Sequence, residues 1–319
     1  MNKKNCNFIA NNILQMSFIL FNIIIGLWWL IALLPLKILY FFSDVLFLLT
    51  YYFPGYRKKT VLNNLRNAFP EKSETEIKVI SKKYYHHFND VLIEILKMIH
   101  LSPGELADRI KVKNPEVLND LYSQNKSVIA VVGHYNNWEW ILGTKPDVPY
   151  HSMAIYKPLN NKYFNRFIIR NRSRYGVELI SMRETLRKIL YYKKINKITL
   201  CAFITDQSPV WEETQYWAHF LNQLTPVYLG IEKIAIKTGQ AVVFLHVQKI
   251  ARGKYEMEVI RLFDNVDNVS PYEITNKHLS VLEKIITAQP EYWLWTHRRW
   301  KLTPRRLKEL ESTSPRVHN

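Results

Sequence analysis

After Lys3 and Lys4 the chain has no charged side chain until Lys37, and this stretch limits the possible folds more than any other feature. Within it, FILFNIIIGLWWLIALLPL (residues 18–36) is interrupted only by Asn22, Gly26 and Pro35. A helix needs roughly 20 such residues to cross a bilayer core. A cleavable signal peptide would have a shorter apolar core and then small residues at a cleavage site. Here the apolar character continues through ILYFFSDVLFLLTYYF (38–53), where Asp44 is the sole charge, so the expectation is a retained single N-terminal anchor. The second segment is expected to lie along the interface. Arg57, Lys58 and Lys59 follow directly and place the bulk of the chain on the cytoplasmic, anionic side of the membrane. The alternative is a buried helix pair of a soluble protein. The expected organisation is a membrane anchor and interfacial helix over residues 1–55 and one globular domain over 56–319.

The globular part has ample material for a core, since 48% of the 319 residues are hydrophobic. The formal net charge of +17 predicts an anionic partner, whether nucleic acid, a membrane surface or an acidic protein. The two cysteines, Cys6 and Cys201, form neither a disulfide framework nor a metal pair and read as buried free thiols. KKYYHHFNDVLIEILKMIH (82–100) has helical periodicity, and residues 161–175 and 182–193 read as basic amphipathic helices. Residues 127–132, 151–156, 197–205, 241–247 and 254–261 read as strands, with a turn at Arg252-Gly253. Residues 227–239, stopped by Gly239, and 271–289, opened by Pro271, read as helices. This alternation predicts an α/β fold, a mixed sheet flanked by helices.

Several signatures are absent: GxSxG, Walker A, GxGxxG and HExxH. No histidine has a second ligand at metal spacing, so neither metal nor cofactor is expected. The conspicuous pair is in KSVIAVVGHYNNWEW (126–140), where a strand ends at Gly133-His134 and Glu139 follows between two tryptophans. On one ideal helix these positions would lie about 140° apart. They can meet if His134 is in a loop and Glu139 in the first turn of a helix capped by Asn136 or Asn137. Glu139 would then accept a hydrogen bond from one imidazole nitrogen and leave the other as a base, able to take a proton from a hydroxyl attacking a thioester. A satisfied polar residue at a strand end is the plainer reading of His134.

GHYNNWE resembles the GHxGNWE of the late lipid A acyltransferases, the lauroyl and myristoyl transferases of Gram-negative envelopes, and His134-x4-Glu139 resembles the H-x4-D/E motif of the wider glycerolipid group. YRKKTVLNNLRNAFPEKSETE (56–76), IYKPLNNKYFNRFIIRNRSRYG (155–176), ITDQSP (204–209) and YWLWTHRRWK (292–301) are similar to further stretches of the family, in the same order. The resemblance implies His134 as the base and Glu139 as its orienting partner. It implies roles in substrate binding or in oxyanion and phosphate stabilisation for Arg172, Arg174, Asp206 and Gln207, with Arg170 fitting the arginine pattern equally well. Asp206 would anchor an arginine or bind sugar hydroxyls. Asn136 stands where the family often has glycine, which leaves the loop's shape open.

The tail HRRWKLTPRRLK (297–308) reads either as a solvated charge run or as a phosphate-binding segment that includes Arg298 and Arg299. The last residues read as a frayed end. The activity implied is acyl transfer, from acyl-carrier protein or acyl-coenzyme A as co-substrate, to a hydroxyl of a lipid A precursor at the cytoplasmic face of the inner membrane. Phospholipid and acyl-carrier protein are the implied partners, and nucleic acid is not. A lysophospholipid or aminolipid acceptor is the alternative within the same chemistry. A non-enzymatic, membrane-tethered binder of anionic ligands is the alternative outside it.

Overall fold

The computed structural model describes residues 21–53, 55–144 and 147–313. Cys6, the start of the apolar stretch and the C-terminal end beyond residue 313 lie outside them.

The apolar N-terminal region forms two helices, α1 (Phe21–Ala32) and α2 (Leu36–Tyr51), bent by 120° at the break between them. Pro35 explains the break, because its ring cannot donate to the helical ladder and disfavours helix in the preceding residue. Carbonyls freed there are taken up by the Lys97 ammonium, which donates to Ala32 O at 2.8 Å and Leu34 O at 3.0 Å. The apolar stretch 18–36 is therefore divided before Leu36, and its first residues, 18–20, lie outside the described residues. Among the described residues no single helix is long and apolar enough to cross a membrane. α2 turns Leu36, Leu39, Ser43, Phe47 and Tyr51 toward the body. Its other side leaves Ile38, Phe41, Phe42, Val45, Leu48 and Leu49 exposed.

α3 (Lys58–Ala68) leads into the long α4 (Glu74–Lys97), which starts at a reciprocal capping box between Ser73 and Glu76. α4 buries Ile77, Tyr84, Tyr85, Val91 and Ile93. At roughly 1.5–3 kcal/mol for each fully buried large apolar side chain, that face outweighs the helix's own marginal stability. The short α5 (Pro103–Ala107), β1 (Ile110–Val112) and α6 (Glu116–Ser123) lead to the central strand β2 (Val128–Val132). All five residues of β2 are buried, as required of a strand covered on both faces.

Then follow β3 (His151–Tyr156), α7 (Lys162–Ser173), β4 (Glu178–Ser181), α8 (Thr185–Lys194) and β5 (Thr199–Ile204). A hairpin of β6 (Tyr216–Phe220) and β7 (Gln223–Val227) precedes α9 (Gly230–Thr238), β8 (Ala241–Ala251), β9 (Lys254–Phe263), α10 (Glu273–Ala288) and α11 (Thr303–Thr313). The main sheet has seven strands in the order β1-β9-β8-β2-β5-β3-β4. β2 pairs in parallel with β5 and β8, while β9 runs antiparallel to β8, so the sheet is mixed as expected. Cys201 is a buried free thiol on β5, and burial raises its pKa.

Each strand read from the sequence is present. β1, β4 and the β6–β7 hairpin were not foreseen. Of the helix expected from 227, Val227 instead closes β7, and α9 begins at Gly230.

Candidate active site

Register brings the central groups together. In the β2–β5 pairing Val132 lies opposite Ile204, so His134 and Asp206, each two residues further on, emerge side by side at the carboxyl ends of adjacent parallel strands. Ligand sites of open α/β sheets favour this edge. A Cβ at Gly133 would lie 2.7 Å from Leu282 Cδ1, so that side chain would have to shift, and at an ordinary contact distance of 3.7 Å from Asp206 Oδ2.

Asp206 is almost wholly buried and accepts three hydrogen bonds. His134 Nδ1 donates to Oδ1 at 2.6 Å, the His134 main-chain N–H to Oδ2 at 2.8 Å, and Trp293 Nε1 to Oδ2 at 2.7 Å. Burial alone would raise the Asp206 pKa, but the neighbouring imidazole and these donors bring it down to about 2. With Nδ1–H committed to Asp206, His134 Nε2 is the free lone pair. It accepts from Gln207 Nε2 at 3.1 Å. Trp138 packs edge-on against the imidazole, with ring centroids 4.9 Å apart.

This corrects the expected pairing of His134 with Glu139. Among the described residues no hydrogen bond joins them, and Glu139 is engaged by Arg172, whose Nε and Nη2 each reach one carboxylate oxygen. The physical reason is local. Residues 133–139 do not enter a long helix, and Glu139 is the N-cap of a single 3-10 turn, Trp140–Gly143. The N-cap is therefore neither Asn136 nor Asn137, although Asn137 Oδ1 accepts from Trp140 N at 3.2 Å.

Asn136 resolves the loop's shape. Its φ is +51°, a left-handed conformation that asparagine adopts more readily than most residues. Its Nδ2 donates to Val247 O and its N–H to Tyr292 O.

The other candidates divide. Arg172 reaches the site from α7, whereas Arg170 is exposed and Arg174 donates to the carbonyls of Ile99 and Leu101 after α4. In the tail, Arg298 is exposed but Arg299 is 1% exposed, and Trp300 is buried with its Nε1 bonded to Thr225 Oγ1. The solvated reading holds for Arg298, Lys301, Arg305 and Lys308, which are exposed, and fails for Arg299, while residues 292–297 pack beside His134 and Asp206. Tyr135 bridges Trp293, Leu294 N donates to His134 O, and Ser208 N donates to His297 Nε2 at 3.0 Å. Burial first and Arg299 second lower the His297 pKa to about 4, which keeps that acceptor lone pair available.

His134, Glu139, Arg172 and Gln207 open onto a cavity of about 540 Å³. Its far wall is apolar, with Ile155, Phe164, Ile168, Phe203, Ile231 and Ile234, while Lys157, Ser208 and Tyr228 add polar groups. Trp293 and Lys157 were not singled out from the sequence as site residues.

A histidine–carboxylate pair at the carboxyl edge of a largely parallel sheet, facing a mostly apolar cavity, is the arrangement of an α/β enzyme site. Comparison with known proteins is more specific. Residues 9–302 match the model of the bacterial lipid A biosynthesis acyltransferases, and the chain belongs to that family and is an acyltransferase. It is 24% identical over 287 residues to the lipid A biosynthesis lauroyltransferase of Escherichia coli (strain K12), covering 88% of this chain and 90% of the relative. It is 23% identical over 283 residues to the palmitoleoyltransferase of the same organism and to a lipid A biosynthesis acyltransferase of Shigella flexneri, with the same coverage.

Proposed function

We propose that the chain transfers a fatty acyl group from a thioester, on acyl-carrier protein or coenzyme A, to a hydroxyl of a lipid A precursor, with His134 as general base and Asp206 as its orienting partner. The observation that carries this reading is the His134 Nδ1–Asp206 hydrogen bond, which leaves Nε2 basic and facing the cavity. The acceptor hydroxyl takes the place of the Gln207 amide at Nε2. As its O–H proton passes to Nε2, its oxygen bonds to the thioester carbonyl carbon, and the carbonyl oxygen takes up the negative charge. Gln207 Nε2 and Lys157 are the donors at hand for that oxyanion. Collapse breaks the C–S bond, and the imidazolium returns the proton to the leaving thiolate. No covalent enzyme intermediate is required. Glu139 acts through Arg172, holding a permanent cation at the cavity edge.

The apolar cavity wall suits the acyl chain. The exposed apolar residues of α1 and α2, and the +17 charge, suit association with the cytoplasmic face of the inner membrane. The test is transfer of a radiolabelled acyl group by the purified protein, offered on carrier protein or on coenzyme A, to a lipid A precursor or a lysophospholipid. Labelled product from the lipid A precursor is expected. Label found only in the phospholipid would overturn the acceptor assignment.

A further inference from the structure

The loop that carries His134 and Glu139 has no helix of its own to hold it, so its shape depends on side-chain anchors. One anchor lies outside every motif considered above. Glu94, in the last turns of α4, is 0% exposed. Its Oε2 accepts from Asn137 Nδ2 and from the Tyr255 hydroxyl, each at 2.7 Å, and its Oε1 accepts from the Tyr40 hydroxyl at 2.7 Å. Its main-chain carbonyl takes Trp140 Nε1 at 3.3 Å. One residue of α4 thus joins α2, β9 and both ends of the Asn137–Trp140 turn. Among the described residues it forms no ion pair.

A carboxyl group in such a place costs several kcal/mol to desolvate, and burial does raise the Glu94 pKa against the lowering by its three donors. An apolar side chain would fill the same space without that cost but could not hold Asn137. What the position supplies is acceptors. We propose that Glu94 is a positioning residue for acyl transfer, fixing Asn137 and through it the separation of His134 from the Glu139–Arg172 pair. This inference rests on the function proposed above.

If acceptor geometry rather than charge matters, a neutral isostere suffices. In Glu94→Gln the amide oxygen can face Asn137 and Tyr255, while the amide N–H₂ donates to the Tyr40 hydroxyl oxygen. Asn137→Asp, in contrast, sets two carboxylates 2.7 Å apart in a buried site. Adding Glu94→Gln to it restores a donor–acceptor pair with the polarity reversed.

The experiment measures kcat, KM for the thioester, and amide hydrogen exchange of residues 133–140 in the full-length protein in lipid. Glu94→Gln is expected to keep kcat within about threefold of wild type. Asn137→Asp is expected to lose about 10²-fold in kcat with KM unchanged, the scale of a small misplacement of reacting groups, and to exchange faster in the loop. The double variant is expected to recover both. Failure of the second substitution to restore kcat and protection, or a single Asn137→Asp with wild-type values, overturns the proposal. If Asn137→Asp does not fold, recovery of folded protein with a protected loop by Glu94→Gln supports it, and no recovery refutes it. Hydrogen exchange also separates the two readings, because a wild-type protein without transferase activity would sink the function while exchange still tests the anchor.

Discussion

Replacing Asp206 by asparagine changes one oxygen to an amide nitrogen and should reverse the imidazole. Oδ2 receives two donors fixed by the fold, the His134 main-chain N–H and Trp293 Nε1, whereas Oδ1 receives only the rotatable ring N–H. The amide oxygen therefore takes the Oδ2 position and the amide N–H₂ faces His134 Nδ1. The ring must then accept at Nδ1 and carry its proton on Nε2, where it can no longer serve as base. General-base assistance is worth about 10²–10⁴-fold, and the same tautomer reversal in serine-protease triads costs about 10⁴. We expect Asp206→Asn to fold and to lose between about 10² and 10⁴ in single-turnover rate, measured with a labelled thioester and excess acceptor. Raising the pH should not restore it, because the fault is the position of the proton and not its presence. A variant within threefold of the wild-type rate would refute the assignment of Asp206 and with it the choice of Nε2 as base.

Arg172→Ala leaves the carboxylate of Glu139 without its partner at the cavity edge and should cut transfer at least about tenfold. Arg174→Ala removes bonds to the Ile99 and Leu101 carbonyls and to Asn171 Oδ1, away from the cavity, and should lower stability by about 1 kcal/mol with the rate unchanged; equal rates for the two variants would contradict this division. Ile234 lines the cavity, so Ile234→Trp should shift donor preference to shorter acyl chains and Ile234→Ala to longer ones, read by competition among thioesters. His278 is buried on α10, and burial lowers its pKa to about 4 from an unfolded value near 6.5. Below pH 6.5 the unfolded chain binds the proton first, so this contribution to stability is present at neutral pH and is lost as pH falls toward 4, amounting to about 2 kcal/mol at pH 5. His278→Leu should flatten the fall in melting temperature between pH 7 and pH 5, and an unchanged slope would count against it.

How much of this could be read from the residues depended on whether the controlling interaction was local. The long strands announced themselves as apolar runs between polar or glycine stops, because strands covered on both faces must be apolar throughout. β4 has four residues of mixed polarity, and the β6–β7 turn uses Leu221-Asn222, both at positive φ, where a glycine would have signalled it. The partner of His134 was hidden by topology. Asp206 lies 72 residues away and becomes adjacent only because β2 and β5 are neighbours in register, so the nearer carboxylate, Glu139, drew the assignment. The resemblance had already marked Asp206 without fixing its function. The tail was legible in part: Arg298, Lys301, Arg305 and Lys308 are exposed, as a charge run usually is, but nothing local shows that Arg299 and Trp300 are buried. Pro35 was visible, and its consequence for the apolar stretch follows from backbone chemistry alone.

The central claim is that the Nε2 atom of His134 removes the proton of a lipid A hydroxyl. Its most direct test is the mass of lipid A from cells lacking this gene and supplied with either wild-type protein or His134→Ala, at matched membrane levels. The wild-type protein should add the mass of one acyl chain and His134→Ala should add none. Equal acylation by both would contradict the account.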